Sequence, residues 1–322
     1  MRVGLDVSPR AQTKAGTARV VDGLAGALAG RPDLDVVPLT FGGGGRGATA
    51  VRDAIWYPLG IARAARHLDL LHCTTFRGPI RARVPVVVTV HDLALLRYPE
   101  AFRPWHRTTG RLALRSSARA ADAIVAVSEF TRDELVELLA VPAERIRIVR
   151  NGIEPVFSPD GPRAEGDYVL AVGTLEPRKN LARVVEAARL AGVDLRVVGA
   201  AGWGGVEVPG WVGRVPDEDL ARLYRGARCV VYASLYEGFG LPVLEAMASG
   251  VPVVTSRGGA TEEVAGGAAV LVDPLDPEAI AAGIAETTTR RDELVPRGLA
   301  RAREFTWAAG ADAVETLWRE LT

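Results

Sequence analysis

The stretch YEGFGLPVLEAMASG, residues 236–250, holds two acids, Glu237 and Glu245, around a Gly-Phe-Gly turn and an apolar run. Gly238 and Gly240 allow a tight turn and a close backbone approach to a ligand. A helix expected from about Pro242 points its free N–H groups back at the edge of a preceding strand, CVVYAS. Glu245 then falls in the first turn, where an acid complements the helix macrodipole. Glu237 sits before the turn, at the sheet edge where ligands bind, and a purely structural role explains it less well. A second stretch, VLAVGTLEPRKNLARVVEAARLAG (169–192), reads as strand, loop and helix. Its loop carries Arg178 and Lys179, two cations beside a helix start, which suit an anionic ligand such as a diphosphate. The basic residues are nearly all arginine; only Lys14 and Lys179 are lysines, so Lys179 stands out against a solvated-loop reading.

The elements that must position these residues alternate along the chain. Strands are expected at 2–7, 35–39, 69–73, 85–91, 123–128 and 145–149 in the first half. In the second half they are expected at 168–173, 195–199, 229–233, 251–256 and 268–273. Several are unbroken Val/Ile/Leu runs, the pattern of strands buried on both faces of a parallel sheet. Helical stretches between them imply right-handed βαβ units. The Pro/Gly/Asp-rich segment 151–167 reads as an interdomain linker. The fold class expected is α/β, with two Rossmann-like domains and a cleft between them as the default site. FGGGGRG (41–47) reads as a flexible loop, too polyglycine for a phosphate fingerprint and leading into no clear helix start.

At 322 residues, 48% hydrophobic and with 39 basic against 39 acidic residues, the chain can bury a large core. Its charge balance gives no global pull towards nucleic acid. Cys73 and Cys229 read as buried thiols of a reducing compartment. MRVGLDVS opens directly as a strand, and no run reaches the ~18 apolar residues of a membrane span, so a soluble cytoplasmic protein is expected. Asp217-Glu218-Asp219 reads as the acidic first turn of a helix, and no metal is expected. Arg103, Arg107, Arg111, Arg115 and Arg119 recur every four residues. On a helix that stripe drifts by about 40° per step over a broad face. It reads as a solvated face or as a basic surface for anionic lipid or a phosphate-bearing acceptor.

Six segments taken in order resemble one family: VVTVHDLALLRYPE (87–100), VSEFTRDEL (127–135), NGIEPVFSP (151–159), VGTLEPRKN (172–180), VGRVPDEDLARLYRGA (212–227) and EGFGLPVLEAMASGVPVV (237–254). With the E-x7-E spacing of Glu237 and Glu245, the chain resembles the retaining glycosyltransferases of family 4, which have the GT-B fold, and its TLEPRKN is similar to bacterial mannosyltransferase-like members. The resemblance implies an N-terminal acceptor-side domain, 1–155, and a nucleotide-sugar-binding domain, 160–304, with parallel sheets facing across a central cleft. The amphipathic helix at 305–322 would pack back on the first domain, and closure on donor binding is expected.

By the same resemblance Glu237 bonds the hydroxyls of the transferred sugar, since a carboxylate accepts two such donors. Backbone N–H groups at Gly238, Phe239, Gly240 and Leu241 hold sugar and phosphate, and Glu245 accepts from the ribose. Arg178 and Lys179 neutralise the diphosphate leaving group. His91 faces the donor sugar, Gly213, Arg214 and Val215 lie against the base, Thr174 belongs to the phosphate loop, and Gly16 brings backbone to phosphate and acceptor. The chain departs from the family pattern at Thr174, where many members have arginine, at Ala18 in place of a glycine, and at Glu262 in a proline position. The expected reaction moves a hexose, mannose first, from a nucleotide diphosphate sugar to a glycan, lipid-linked or small-molecule hydroxyl without metal or other cofactor. Guanosine diphosphate mannose is the first expectation for the donor and a uridine diphosphate sugar the second. A nucleotide-sugar 2-epimerase and a non-catalytic two-domain binder are the alternatives; a nicotinamide enzyme is disfavoured because no G-x-G-x-x-G follows the first strand.

Overall fold

The computed structural model describes residues 1–12, 16–42, 46–102, 104–202 and 208–322. The chain divides into two compact units, residues 1–152 with 306–322, and residues 153–305. Each is built on a parallel six-stranded sheet.

The first unit contains β1 (Arg2–Asp6), β2 (Asp35–Leu39), β3 (Leu70–Cys73), β4 (Val86–Val90), β5 (Ala123–Ala126) and β6 (Ile146–Ile148), in the order β2-β1-β3-β4-β5-β6. The central strands β3, β4 and β5 are buried throughout, as their continuous apolar runs require. Successive side chains feed opposite layers. Val86, Val88 and Val90 join one core with Leu71, Ile124 and Leu135, while Val87 joins another with Leu5, Leu28 and Trp318. The second layer is closed by the helix Trp307–Leu321, which starts at Thr306, whose Oγ1 accepts from the Ala309 N–H at 3.1 Å. Its Trp307 ring lies so close over Gly23 that a Cβ there would come within 2.2 Å of it.

The second unit contains β7 (Tyr168–Val172), β8 (Asp194–Val198), β9 (Trp211–Gly213), β10 (Cys229–Tyr232), β11 (Val253–Ser256) and β12 (Val270–Val272), in the order β12-β11-β10-β7-β8-β9. In each sheet the strand order reverses once, between β1 and β3 and between β7 and β10. The carboxyl ends of those strand pairs are the positions where open α/β sheets bind ligands.

Two features differ from the sequence reading. The glycine-rich loop leads into a helix, Arg46–Val51, which continues as a nine-residue π-helix, Arg52–Gly60, enclosing Pro58. β9 adds an exposed edge that is too short, between Pro209-Gly210 and Pro216, to announce itself. The division between the units falls at Gly152, within the segment 151–167, and the chain after it is packed: Phe157 meets Tyr224 edge-on at 5.8 Å, and Arg225 donates to the carbonyls of Pro162 and Ser158. Cys73 and Cys229 are buried free thiols, and burial raises both above the ordinary thiol range. Among the described residues no helix is long and apolar enough to cross a membrane.

Candidate functional site

At the reversal point of the second sheet, the chain leaves β7 through Gly173 and Thr174, makes a short turn at Pro177–Lys179 and enters the helix Leu181–Ala191. Asn180 pins the turn, its Nδ2 donating to the carbonyls of Ala233 at 2.9 Å and Pro274 at 2.6 Å. The Leu235 N–H donates to the Arg178 carbonyl at 2.8 Å, which ties this turn to the chain leaving β10. Arg178 and Lys179 are thereby held against Glu237. Arg178 Nη1 donates to Glu237 Oε2 at 3.0 Å and Lys179 Nζ to Oε1 at 2.6 Å. Arg178 Nη2 also meets Glu176 Oε1 at 2.8 Å, and Lys179 Nζ meets Tyr232 Oη at 2.8 Å. The four charged side chains are between 8% and 17% exposed, so water screens them little.

Burial alone would raise the Glu237 carboxyl, but Lys179 and Arg178 overcome it and hold the group at about 2. Burial lowers the Lys179 ammonium, opposed by Glu237 and reinforced by Arg178 beside it. Tyr232 is pushed well above the phenol range by burial and by the Glu237 charge, so it stays protonated. The site is thus an ionised carboxylate clamped by two cations at the edge of a sheet.

The Gly-Phe-Gly turn follows. Gly240 has φ 119° and precedes the helix Leu241–Ala248, whose first amides have no partner within the helix. The Phe239 ring is buried edge-on against Phe305 at 5.9 Å. Glu245 is the fifth residue of that helix, not a first-turn residue as the sequence pattern predicts, because the helix begins at Leu241 and its first turn carries no acid. It is 1% exposed, and its Oε2 accepts from Tyr224 Oη at 2.8 Å. Macrodipole complementation therefore does not account for it.

Gly213 closes β9, and its carbonyl accepts from the Gly199 N–H at 3.0 Å. Gly199 lies directly against Gly173, so Gly213, Arg214 and Val215 share the sheet edge of Thr174. Arg214 is exposed. Asp217, Glu218 and Asp219 open the helix Asp217–Gly226, but Pro216 occupies the cap position and no side chain caps it there. Among the described residues no cluster of His, Cys, Asp and Glu is placed to hold a metal ion.

His91 and Gly16 belong to the first unit. His91 follows β4 and is half-buried; its Nε2 lies 2.9 Å from the Thr74 carbonyl. A carbonyl only accepts, so Nε2 carries the hydrogen. Burial lowers this imidazole, which leaves the ring neutral and the Nδ1 lone pair available. Gly16 is the first residue of the helix Gly16–Leu28, and Ala18 is buried in it. Of the arginine stripe, Arg103 lies outside the described residues. Arg107 donates to the carbonyls of Phe102 and Glu100 and Arg111 to that of Leu95, whereas Arg115 and Arg119 are exposed. Glu176, Tyr232 and Tyr224 were not singled out by sequence; Tyr232 and Tyr224 are hidden inside apolar patterns, and Glu176 carried no signal beyond its nearness to Arg178.

Residues 15–157 match the family described as Glycosyltransferase Family 4, and residues 155–295 match Glycosyl transferases group 1. An O-antigen chain mannosyltransferase B of Escherichia coli is 36% identical over 254 residues, covering 69% of this chain and 66% of that protein. A D-inositol 3-phosphate glycosyltransferase of Mycolicibacterium smegmatis is 30% identical over 269 residues, covering 73% of this chain and 61% of that protein. The chain thus spans just under two thirds of the length of these curated relatives. Among solved structures, sucrose-phosphate synthase from Thermosynechococcus elongatus matches with TM-score 0.77 at 20% identity, covering 99% of this chain and 98% of the other. Anabaena Alr3699/HepE, solved in complex with UDP-glucose, matches with TM-score 0.76 at 19% identity, covering 98% and 99%. At such identities these structures speak for the fold, which is GT-B. With the two family matches adjoining from residue 15 to residue 295, the chain belongs to the family 4, group 1 glycosyltransferases.

Proposed function

We propose that the chain is a retaining hexosyltransferase that binds a nucleoside diphosphate sugar on its second unit and transfers the hexose to a hydroxyl. The observation that carries this reading is the clamp of Arg178 and Lys179 on Glu237 at the reversal point of the second sheet. A diphosphate arriving there meets two cations held in place, and Glu237, ionised and rich in lone pairs, turns to sugar hydroxyls. The amides of Phe239, Gly240 and Leu241 serve the phosphate, Glu245 the ribose, and Gly213, Arg214 and Val215 the base. In the first unit, His91 presents an unprotonated Nδ1 that can accept from a sugar hydroxyl. In the step itself the bond from C1 to the leaving phosphate oxygen breaks and a bond from C1 to the acceptor oxygen forms on the same face. The acceptor proton passes to the departing phosphate.

Mannose from guanosine diphosphate mannose is the first choice, supported by the name of the 36% identical relative. A uridine diphosphate sugar is the second, supported by the UDP-glucose complex of a structural neighbour. Peripheral contact with anionic lipid through Arg115 and Arg119 belongs to the same reading. The test is a thermal-shift screen of nucleoside diphosphates and their sugars, with and without chelator, on wild type and Glu245→Ala. One base should stabilise the wild type whether or not chelator is present, and the variant should lose the response. If no nucleotide shifts the wild type, the donor site fails. The anomeric configuration of the product, read by NMR, decides retention.

A further inference from the structure

A lysine ammonium carries three N–H donors. Among the described residues, two of those on Lys179 have acceptors: Glu237 Oε1 at 2.6 Å and Tyr232 Oη at 2.8 Å. The two acceptors differ in kind. Glu237 is a carboxylate in the loop between β10 and the helix Leu241–Ala248. When it turns to sugar hydroxyls, it gives up Lys179. Tyr232 ends β10, a strand paired on one side with β7 and on the other with β11. Its carbonyl accepts from the buried Thr255 Oγ1 at 2.9 Å, and the residue is 4% exposed. The sheet fixes this second acceptor, whereas the first lies on a loop.

A lysine left here without an acceptor would lose its charge or its place. Burial already lowers the ammonium; Glu237 and, less, Glu176 raise it, and Arg178 lowers it. Glu176 is itself taken up by Arg178 Nη2 at 2.8 Å. Once Glu237 has turned away, Tyr232 is the acceptor that stays. Its phenol lies well above the ordinary range, so it holds the ammonium through a lone pair and carries no charge. An aspartate there would grip Lys179 harder but would repel an incoming diphosphate. A phenylalanine would give the ammonium nothing to bond. The phenol's own hydrogen has an outlet too. Ser234 Oγ, buried two residues along and without a partner, lies close enough to Tyr232 to lower its phenol.

We propose that Tyr232 is a positioning residue: it keeps hold of the Lys179 ammonium while Glu237 exchanges that ammonium for the sugar, so that the released N–H meets the diphosphate. The role rests on the donor-site reading above. The chain has only two lysines, Lys14 and Lys179, so full-length protein grown on ε-13C lysine gives two resonances, told apart with Lys14→Arg. The first arm titrates Lys179 with pH in Glu237→Ala, which stands in for the carboxylate's departure. Adding Tyr232→Phe should lower the midpoint by about one further pH unit, the tenfold weight of a hydrogen bond to a charged group. Tyr168→Phe removes another buried phenol's bond, to the Leu223 carbonyl at 2.8 Å, and should lower the Tm without moving that midpoint. The second arm adds inorganic pyrophosphate with chelator to wild type, Tyr232→Phe and Tyr168→Phe, and follows the Lys179 resonance. Affinity should fall about tenfold in Tyr232→Phe alone. An unmoved midpoint, or equal pyrophosphate affinity in wild type and Tyr232→Phe, overturns the role and leaves the donor reading standing. An equal loss of affinity in Tyr168→Phe assigns the effect to destabilisation and overturns it as well. A wild-type Lys179 resonance that ignores pyrophosphate, guanosine diphosphate and uridine diphosphate sinks the donor reading, and the proposal with it.

Discussion

Lys179 Nζ reaches Glu237 Oε1 at 2.6 Å across 58 positions of sequence, joining the loop after β7 to the loop after β10. Lys179→Met leaves Glu237 held by Arg178 alone. It should therefore cost about 1–3 kcal/mol of stability, the loss of one buried charge-assisted hydrogen bond and not of the carboxylate's last partner. Lys179→Met with Glu237→Gln should cost less than the sum of the singles. Nucleoside diphosphate affinity should fall with Lys179→Met about tenfold to a hundredfold, the loss of one charge-assisted bond. Urea unfolding of the cycle and calorimetric titration check both. Additive single costs would show that the pair is not coupled.

The hydroxyl of Tyr224 donates to Glu245 Oε2 at 2.8 Å in a site with almost no solvent contact. Tyr224→Phe removes it and keeps the ring packed on Phe157. Stability should drop by about 1–3 kcal/mol. If Glu245 receives the ribose, nucleotide affinity should also fall. An unaltered nucleotide Kd would place the ribose elsewhere.

The strands were legible because burial on both faces leaves short valine-rich runs without charged residues, as in Val86–Val90 and Cys229–Tyr232. β9 was not, since an exposed three-residue edge carries no such run. The π-helix escaped because apolar periods of 3.6 and 2 do not describe i→i+5 bonding, and because Pro58 and Gly60 look like breakers. Glu237, Arg178 and Lys179 could be picked out by residue type and spacing. Their mutual pairing could not, since it depends on β7 and β10 lying side by side. The burial of Glu245 turned on a one-residue shift in the helix start and on Tyr224, 21 positions away.

Stability should decline on mild acidification through a buried imidazole. Trp318 Nε1 donates to His72 Nδ1 at 3.2 Å, so Nδ1 is unprotonated and Nε2 carries the hydrogen, placed 2.8 Å from Thr89 Oγ1. Burial, with a smaller contribution from His91, lowers this ring from 6.5 to about 3. Between those values the unfolded chain binds a proton that the folded chain does not, so stability falls as pH falls through the window. One such group contributes a slope of about 1.4 kcal/mol per pH unit. Urea unfolding from neutrality to about pH 5 should show His72→Gln with a shallower slope by about one proton. Equal slopes would mean that His72 is not held neutral.

A Cβ on Gly199 would lie 1.8 Å from the Gly173 carbonyl oxygen, and its φ of 159° adds little relief. Gly199→Ala must push the loop that carries Thr174 away from β8. Overpacking of this kind costs about 1–3 kcal/mol. Nucleotide binding should weaken with it. Gly192→Ala, at φ 64° with open space around it, should lower the Tm through backbone strain and leave nucleotide binding alone. Thermal shifts with and without nucleotide separate the two. Equal losses of binding would trace the Gly199 effect to general destabilisation.

Arg115 and Arg119 are the exposed members of a helix whose Arg107 and Arg111 are already engaged with backbone carbonyls, and Leu112 beside them is 64% exposed. A face with exposed guanidinium groups next to an exposed leucine suits the interfacial region of an anionic bilayer. Each arginine near such a surface contributes about 1 kcal/mol, so losing both should weaken vesicle binding about thirtyfold. Sedimentation with phosphatidylglycerol vesicles at low and high salt is the measurement, on wild type and Arg115→Ala/Arg119→Ala. Binding should be strong only at low salt and should drop in the double variant. Equal partitioning of both proteins would assign these arginines to a solvated surface, because charges that meet a membrane cannot be removed without a change in affinity.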